Sequence, residues 1–185
     1  MSPAGAENKK ADLIFLQETH STKAGEYRWK KEWGSEIIFS HGSSNARGVA
    51  ILIKRGLDIV VEQELLNSSG RSIVLKTLIN SNIYGPNKKA EAVRFYQNLS
   101  ATLRKMDPSS DDNIVVGGDF NCPLNPTLHK KGEILIPRQH VINSIENVQN
   151  EFSLLLDIWR IKNPNTRSFT WSKNQPFIFV GWIIG

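Results

Sequence analysis

The sequence predicts an α/β (α+β) fold on three observations. Short apolar runs of strand length recur from residue 11 to residue 184. Two longer segments instead carry apolar residues at spacings of three and four, the period of a helix with one buried face. Polar clusters stand directly behind three of the apolar runs, and sites in open α/β sheets gather at strand ends. Strands mixed with long helices must bury one face of each element, which means helices packed on sheets.

The elements follow in order. Met1 to Lys10 is polar, lacks the apolar stretch of a secretory signal and reads as a disordered lead. Ala11–Leu16 is a short apolar run that suits a strand buried on both faces. Residues 23–33 read as a short helix with Trp29 and Trp33 four apart on one face. Glu36–Ser40, Val49–Lys54 and Asp58–Leu65 are strand-like, and Asn67-Ser68-Ser69-Gly70 is a turn cluster. Ser72–Ile79 predicts a single strand. Ala92, Phe95, Leu99, Leu103 and Met106 form the stripe of a helix over Ala90–Met106, ended at Asp107-Pro108 because proline cannot continue it. Asn113–Val116 is a buried strand running into Gly117-Gly118. Residues 122–138, with Pro123, Pro126, Gly132 and Pro137, form a long irregular loop of the kind often used for function. Val141, Ile145, Val148, Phe152, Leu155 and Trp159 trace a second amphipathic helix. Ser168–Ser172 and Phe177–Ile184 close the fold as strands. No repeat or linker interrupts residues 11–185, which read as one domain.

Composition narrows the function classes. A chain of 185 residues with 39% hydrophobic content is neither disordered nor collagen-like. Lys plus Arg number 23 against 18 Asp plus Glu, a net charge of +5 that permits a polyanionic partner without requiring one. The lone Cys122 excludes an internal disulfide and a multi-cysteine zinc site, and favours an intracellular, reducing compartment with no disulfide-linked partner. It reads as a small buried residue. No run approaches the ~20 apolar residues that span a bilayer, so no membrane partner is expected. His20, His41, His129 and His140 show no metal-ligand spacing and read as surface or hydrogen-bonded histidines. Nothing in the sequence fixes the oligomeric state.

Each of the three polar clusters has a chemical and a plain structural reading. Gln17-Glu18-Thr19-His20 places a carboxylate at a strand end, where it could hold a hard cation or simply face solvent. Asn82-Ile83-Tyr84-Gly85-Pro86-Asn87 turns sharply at Gly85-Pro86; Tyr84 could donate to a phosphate oxygen, or pack beside a turn-forming asparagine. In Gly117-Gly118-Asp119-Phe120-Asn121 the two glycines allow close backbone approach. In extended backbone Asp119 and Asn121 would share one face and Phe120 the other. That pair suits a water nucleophile near a phosphate; the alternative is an Asx turn.

In order along the chain, Leu16-Gln17-Glu18-Thr19-His20, Arg47-Gly48-Val49-Ala50-Ile51-Leu52, Asn82 to Asn87, Gly117 to Asn121 and Ser168-Phe169-Thr170-Trp171 resemble the endonuclease/exonuclease/phosphatase superfamily. The resemblance is closest to the apurinic-type endonuclease domain of non-LTR retrotransposon polyproteins. It implies a DNase I-like four-layer sandwich, two mixed β-sheets flanked by helices, here incomplete at both ends. It implies Mg2+-dependent phosphodiester hydrolysis (Mn2+ as a substitute) on DNA, in the nucleus if genomic DNA is the substrate. By the resemblance, Glu18 is the metal ligand, Tyr84, Asp119 and Asn121 are catalytic, and Asn87 and Thr170 bind substrate. The family's Asp-His pair has no counterpart anywhere in the 185 residues, which predicts weak or lost cutting. The competing expectations are a non-catalytic fragment with residual nucleic-acid binding, another phosphodiesterase of the superfamily, and a plain α/β binding module.

Overall fold

The computed structural model describes residues 12–43, 45–57, 59–76, 79–107, 114–122, 124, 138–152, 161, 164 and 181–183. The chain divides into two compact units, Met1–Tyr84 and Gly85–Gly185.

The first unit contains β1 (Leu13–Gln17), a 3-10 turn (Lys23–Gly25), α1 (Glu26–Trp33), β2 (Ile37–Ser40), β3 (Val49–Ile53), β4 (Gln63–Leu66), β5 (Ser72–Lys76) and β6 (Ile79–Tyr84). β1, β3 and β2 form an antiparallel sheet with β3 central, in register Leu16↔Ala50 and Ile38↔Ile51. Every residue of the Val-Ala-Ile-Leu-Ile run is buried, as expected of a central strand covered on both faces. β4, β5 and β6 are likewise antiparallel, in register Leu65↔Val74 and Ile73↔Asn82. Ile38, Val49, Ile51, Ile53, Ile73 and Leu75 form one apolar cluster, so the two sheets face each other. α1 ends at Gly34, whose φ of 70° lets its N–H return to the Lys30 carbonyl. Trp29 is buried, and Trp33 is half-buried with its indole N–H on the Ile53 carbonyl at 2.8 Å.

Asn82 joins these sheets through polar contacts. It is 0% exposed. Its amide nitrogen donates to the carbonyls of Leu16 on β1 and Ala50 on β3 at 3.1 and 3.0 Å, and its oxygen accepts from Gln17 Nε2 at 2.7 Å. A buried amide in an apolar core is tolerable only when satisfied in this way.

Two expectations for this unit are corrected. Ser72–Ile79 is not one strand: β5 ends at Lys76 and β6 begins at Ile79, giving a hairpin. The sequence between the two strands, Thr77-Leu78, contains none of the Gly, Asn or Pro that usually punctuates a strand. Of Asp58–Leu65 only the end is strand, since β4 spans Gln63–Leu66. Leu57, Ile59 and Val61 are partly buried against the apolar cluster without joining a ladder. Their alternation reflects packing, which mimics strand periodicity.

The second unit contains α2 (Lys89–Lys105), β7 (Ile114–Asp119), α3 (Gln139–Glu151) and β8 (Gly181–Ile183). β7 pairs antiparallel with β8 through Val116↔Trp182 and Gly117↔Gly181, so the strand runs through both glycines to Asp119. α2 packs on α3, and Glu151 accepts from Ser100 Oγ at 2.7 Å and pairs with Arg104. Val141, Ile145, Val148 and Phe152 are buried as expected, with Phe152 capping α3. Leu155, Trp159 and Ser168–Ser172 lie outside the described residues, as do the lead and most of 122–138.

The stripe of α2 is also corrected. Tyr96 points inward, 1% exposed, and Phe95 is half-buried, edge-on to it at 5.3 Å. Tyr96 stacks on Phe120 with centroids 6.3 Å apart and donates its hydroxyl to the Phe120 carbonyl at 2.6 Å. A satisfied hydroxyl removes the cost that made Phe95 the better core candidate by hydropathy.

Candidate active site

In the first unit the site begins where β1 stops. Glu18 and His20 both adopt left-handed backbone, φ 50° and 51°, a conformation uncommon outside glycine. The Thr19 N–H donates to the Gly48 carbonyl at 3.1 Å and the His20 N–H to the Arg47 carbonyl at 2.9 Å, holding the turn against the chain entering β3. Gly48 (φ 89°) and Gly70 (φ 68°) are required there. A Cβ at Gly70 would lie 2.6 Å from the backbone of Gly42, and the Gly48 N–H donates to the Gly70 carbonyl at 3.1 Å.

The Glu18 carboxylate is half-exposed. Its Oε2 lies 2.7 Å from His20 Nε2 and accepts the Arg47 N–H at 3.1 Å. Tyr84, at the end of β6, also donates to it. Burial pushes the Glu18 carboxyl up, but the bonds from Tyr84, His20 and the Arg47 N–H outweigh burial and hold it below the ordinary glutamate range. The Tyr84 ring is held by the Arg71 guanidinium, 5.6 Å from its centroid.

In the second unit the turn after β7 carries Asp119 and Asn121. Asn121 is left-handed, φ 48°, and its N–H donates to Asp119 Oδ1 at 2.8 Å. The pair therefore forms an Asx turn, and the expectation of two side chains on one face of extended backbone is corrected: the chain leaves the strand at Asp119. The Asn121 amide donates to the Gly85 carbonyl at 2.6 Å, and the Gly85 N–H to the Asp119 carbonyl at 2.6 Å. Arg138 closes the turn, donating to the Asn121 carbonyl at 2.8 Å and the Asn87 carbonyl at 2.7 Å. Burial raises the Tyr96 phenol well above its ordinary value, and the nearby Cys122 and Asp119 add to this. Burial also raises the Cys122 thiol, leaving it an inert core residue.

The structure thus brings Glu18 to Tyr84 and, separately, Asp119 to Asn121, with exposed Asn87 held by Arg138. Thr170 lies outside the described residues. Sequence reasoning missed the bridging of Asn82, the clamp of Arg138 and the network around His41. Asn82 and Arg138 differ from any surface polar residue only in partners far along the chain.

Three carboxylates carry a pH consequence. Glu18 is held low by the bonds already named. Glu26 is raised by burial but lowered more by His41 and Lys23, and Glu151 is lowered by Arg104 and Ser100. A depressed folded-state pKa contributes stability above the unfolded value, here 4.5, and loses it as pH falls through the folded value. Urea midpoints should hold steady down to about pH 5 and decline below it; a midpoint unchanged at about pH 3 would contradict these carboxylate contacts.

A family model described as the endonuclease/exonuclease/phosphatase family matches residues 5–184. The chain belongs to the endonuclease/exonuclease/phosphatase family. Within that family it is similar to the transposon TX1 uncharacterized 149 kDa protein of Xenopus laevis, 33% identical over 169 residues. The match takes in 86% of this chain and 12% of that protein, so the chain spans about an eighth of its relative. Among solved structures it is similar to an AP endonuclease from Archaeoglobus fulgidus, with a TM-score of 0.73 at 19% identity over 94% of this chain and 76% of that one. The Xenopus laevis APE2 catalytic domain gives a TM-score of 0.66 at 19% identity, covering 94% and 73%. The Neisseria 3′ phosphatase NExo, bound to a product DNA hairpin, gives 0.73 at 17% identity, covering 96% and 77%. The fold is the DNase I-like fold of these structures. Among the described residues no helix is long and apolar enough to cross a membrane.

Proposed function

We propose that this chain is the endonuclease domain of a retroelement, a divalent-metal-dependent phosphodiesterase that nicks DNA, slowly when taken by itself. One observation carries the reading: in a chain of this family, Glu18 is held ionised at a strand end with the Tyr84 hydroxyl on it. The transposon relative supports the origin.

The donor chemistry fits Mg2+. It is a hard cation bound through one or two carboxylates with waters and substrate phosphate oxygens completing its shell. Glu18 is such a donor. Among the described residues no group of three His, Cys, Asp or Glu side chains could hold a metal ion. Mn2+ takes the same oxygen donors. Bound there, the ion supplies Lewis-acid stabilisation of the charge developing on phosphate and leaving oxygen.

The remaining roles belong to the chain. Glu18 would hold the ion, and the Tyr84 hydroxyl, now on Glu18, would serve as a donor to a phosphate oxygen of the substrate. Asp119 accepts the proton of the attacking water, and the Asn121 N–H holds that carboxylate in place. Asn87 and Thr170 bind substrate beside the cut. The slow rate follows from the absence of an Asp-His pair in the 185 residues, since losing one member of such a constellation removes orders of magnitude. A chain acting on genomic DNA works in the nucleus.

Glu18→Gln is the test of the metal role. The Mg2+ concentration for half-maximal nicking should rise by roughly tenfold or more. An unchanged Mg2+ dependence would remove Glu18 from the metal site.

A further inference from the structure

Behind the Glu18 turn lies a polar chain, buried at Thr19 and Ser21 and half-buried at His41 and Glu26, that the roles above do not use. Thr19 and Ser21 are 2% and 3% exposed, and their hydroxyls are 3.0 Å apart. Ser21 Oγ is 3.0 Å from His41 Nδ1, and His41 Nε2 is 2.8 Å from Glu26 Oε1. Glu26 also pairs with Lys23 at 3.1 Å. The His41 ring stacks on Phe39 at 5.3 Å, and Phe39 meets Trp29 edge-on at 5.7 Å. One imidazole thus ties together the end of β2, the first turn of α1 and the turn that carries Glu18.

The partners set the direction of the chain. An ionised carboxylate only accepts, so in the neutral imidazole Nε2–H donates to Glu26. Nδ1 is then an acceptor, filled by the Ser21 hydroxyl, and Ser21 in turn accepts from Thr19. Ser21 is too buried to act as a nucleophile, despite its histidine and glutamate. Its place is mechanical: Thr19 lies between Glu18 and His20, the two residues held in left-handed backbone. Such conformations persist only where surrounding contacts over-determine them.

We propose that His41 is a positioning residue for Glu18, locking the Glu18–Ser21 turn to α1 through Ser21 and Thr19. The proposal rests on the reading of Glu18 as the metal ligand, and its test keeps the two apart. His41→Phe retains the stack on Phe39 and removes both hydrogen bonds. His41→Asn retains an acceptor near the position of Nδ1. Amide hydrogen exchange is read at the Thr19 and His20 N–H groups, with Ala50 in central β3 as reference. Mn2+ affinity is read by electron paramagnetic resonance, with no substrate present.

In His41→Phe the two turn amides should exchange roughly tenfold faster while Ala50 is unchanged, and the Mn2+ dissociation constant should rise by roughly tenfold, the low end for an indirect support of a ligand. His41→Asn, which keeps the contact to Ser21 but loses the Glu26 bond to α1, should fall between the parent and His41→Phe in both readouts. If His41→Phe fails to fold, Ser21→Ala cuts the same path and should give the same pattern. Unchanged turn amides, or acceleration shared equally by Ala50, would overturn the proposal. If the parent itself binds no Mn2+, the ligand reading of Glu18 fails while the exchange data still decide the role of His41.

Discussion

Replacing Asn82 by alanine should destabilise the fold by about 3 kcal/mol, because three hydrogen bonds made by one fully buried side chain are lost at once. The side chain is fully buried and serves Leu16, Ala50 and Gln17 at once. Without it the Leu16 and Ala50 carbonyls, which are also paired in the β1–β3 ladder, lose a second donor and the half-buried Gln17 amide loses its acceptor, each lost bond costing ~0.5–1.5 kcal/mol. The cavity left by an amide is small, and water repays the loss only where it finds two or more polar partners in reach. Asn82→Asp should be no better, since a carboxylate facing two carbonyls places acceptor against acceptor. An exposed comparison, Asn98→Ala on α2, should fall within about 0.5 kcal/mol of the parent. Chemical denaturation of the three variants beside the parent checks this. An Asn82→Ala midpoint equal to that of Asn98→Ala would show that the bridge between the sheets contributes nothing.

Asp119→Ala should lower the rate of metal-dependent nicking by at least about a hundredfold, the usual minimum for removing a positioned general base. The fold should survive. Asp119 stands at the end of β7, its carbonyl still takes the Gly85 N–H, and the stacked Tyr96–Phe120 pair beside it is untouched. What the variant loses is the carboxylate held by the Asn121 N–H. Asp119→Asn keeps that contact and nearly the same shape but cannot take a proton, so it should be as slow as the alanine variant. A fast asparagine variant would reduce Asp119 to a turn former.

The parts of the fold legible in the sequence were those where one short segment carries its own reason. β3 is a continuous apolar run because both faces are covered, whereas β1, expected to be the same, buries Ile14 and Leu16 and leaves Leu13 and Phe15 half-buried; α3 shows its buried stripe, and α2 shows its own apart from Phe95. The illegible parts depend on partners distant in the chain. The sequence between β5 and β6 carries no Gly, Asn or Pro, so Ser72–Ile79 reads as one strand. Tyr96 outranks Phe95 only because a carbonyl on Phe120, 24 residues away, takes its hydroxyl. The same holds at the site. The strand-end positions of Glu18, Tyr84 and Asp119 could be read from the runs that precede them. The bond from Tyr84 to Glu18, the left-handed turn at Asn121 and the Arg138 clamp could not. His41 was legible as a hydrogen-bonded histidine, but its partners Ser21 and Glu26 were not.

Under the proposed function this chain hydrolyses DNA phosphodiesters with a divalent metal and Asp119. A time course of supercoiled-plasmid nicking, run with Mg2+ and with EDTA for the parent and for Asp119→Ala, tests it most directly. The parent should relax slowly to the nicked circle in Mg2+ and not above background in EDTA, and the variant should give background alone in either. Equal nicking by parent and variant in Mg2+, or nicking by the parent that EDTA does not stop, would contradict it.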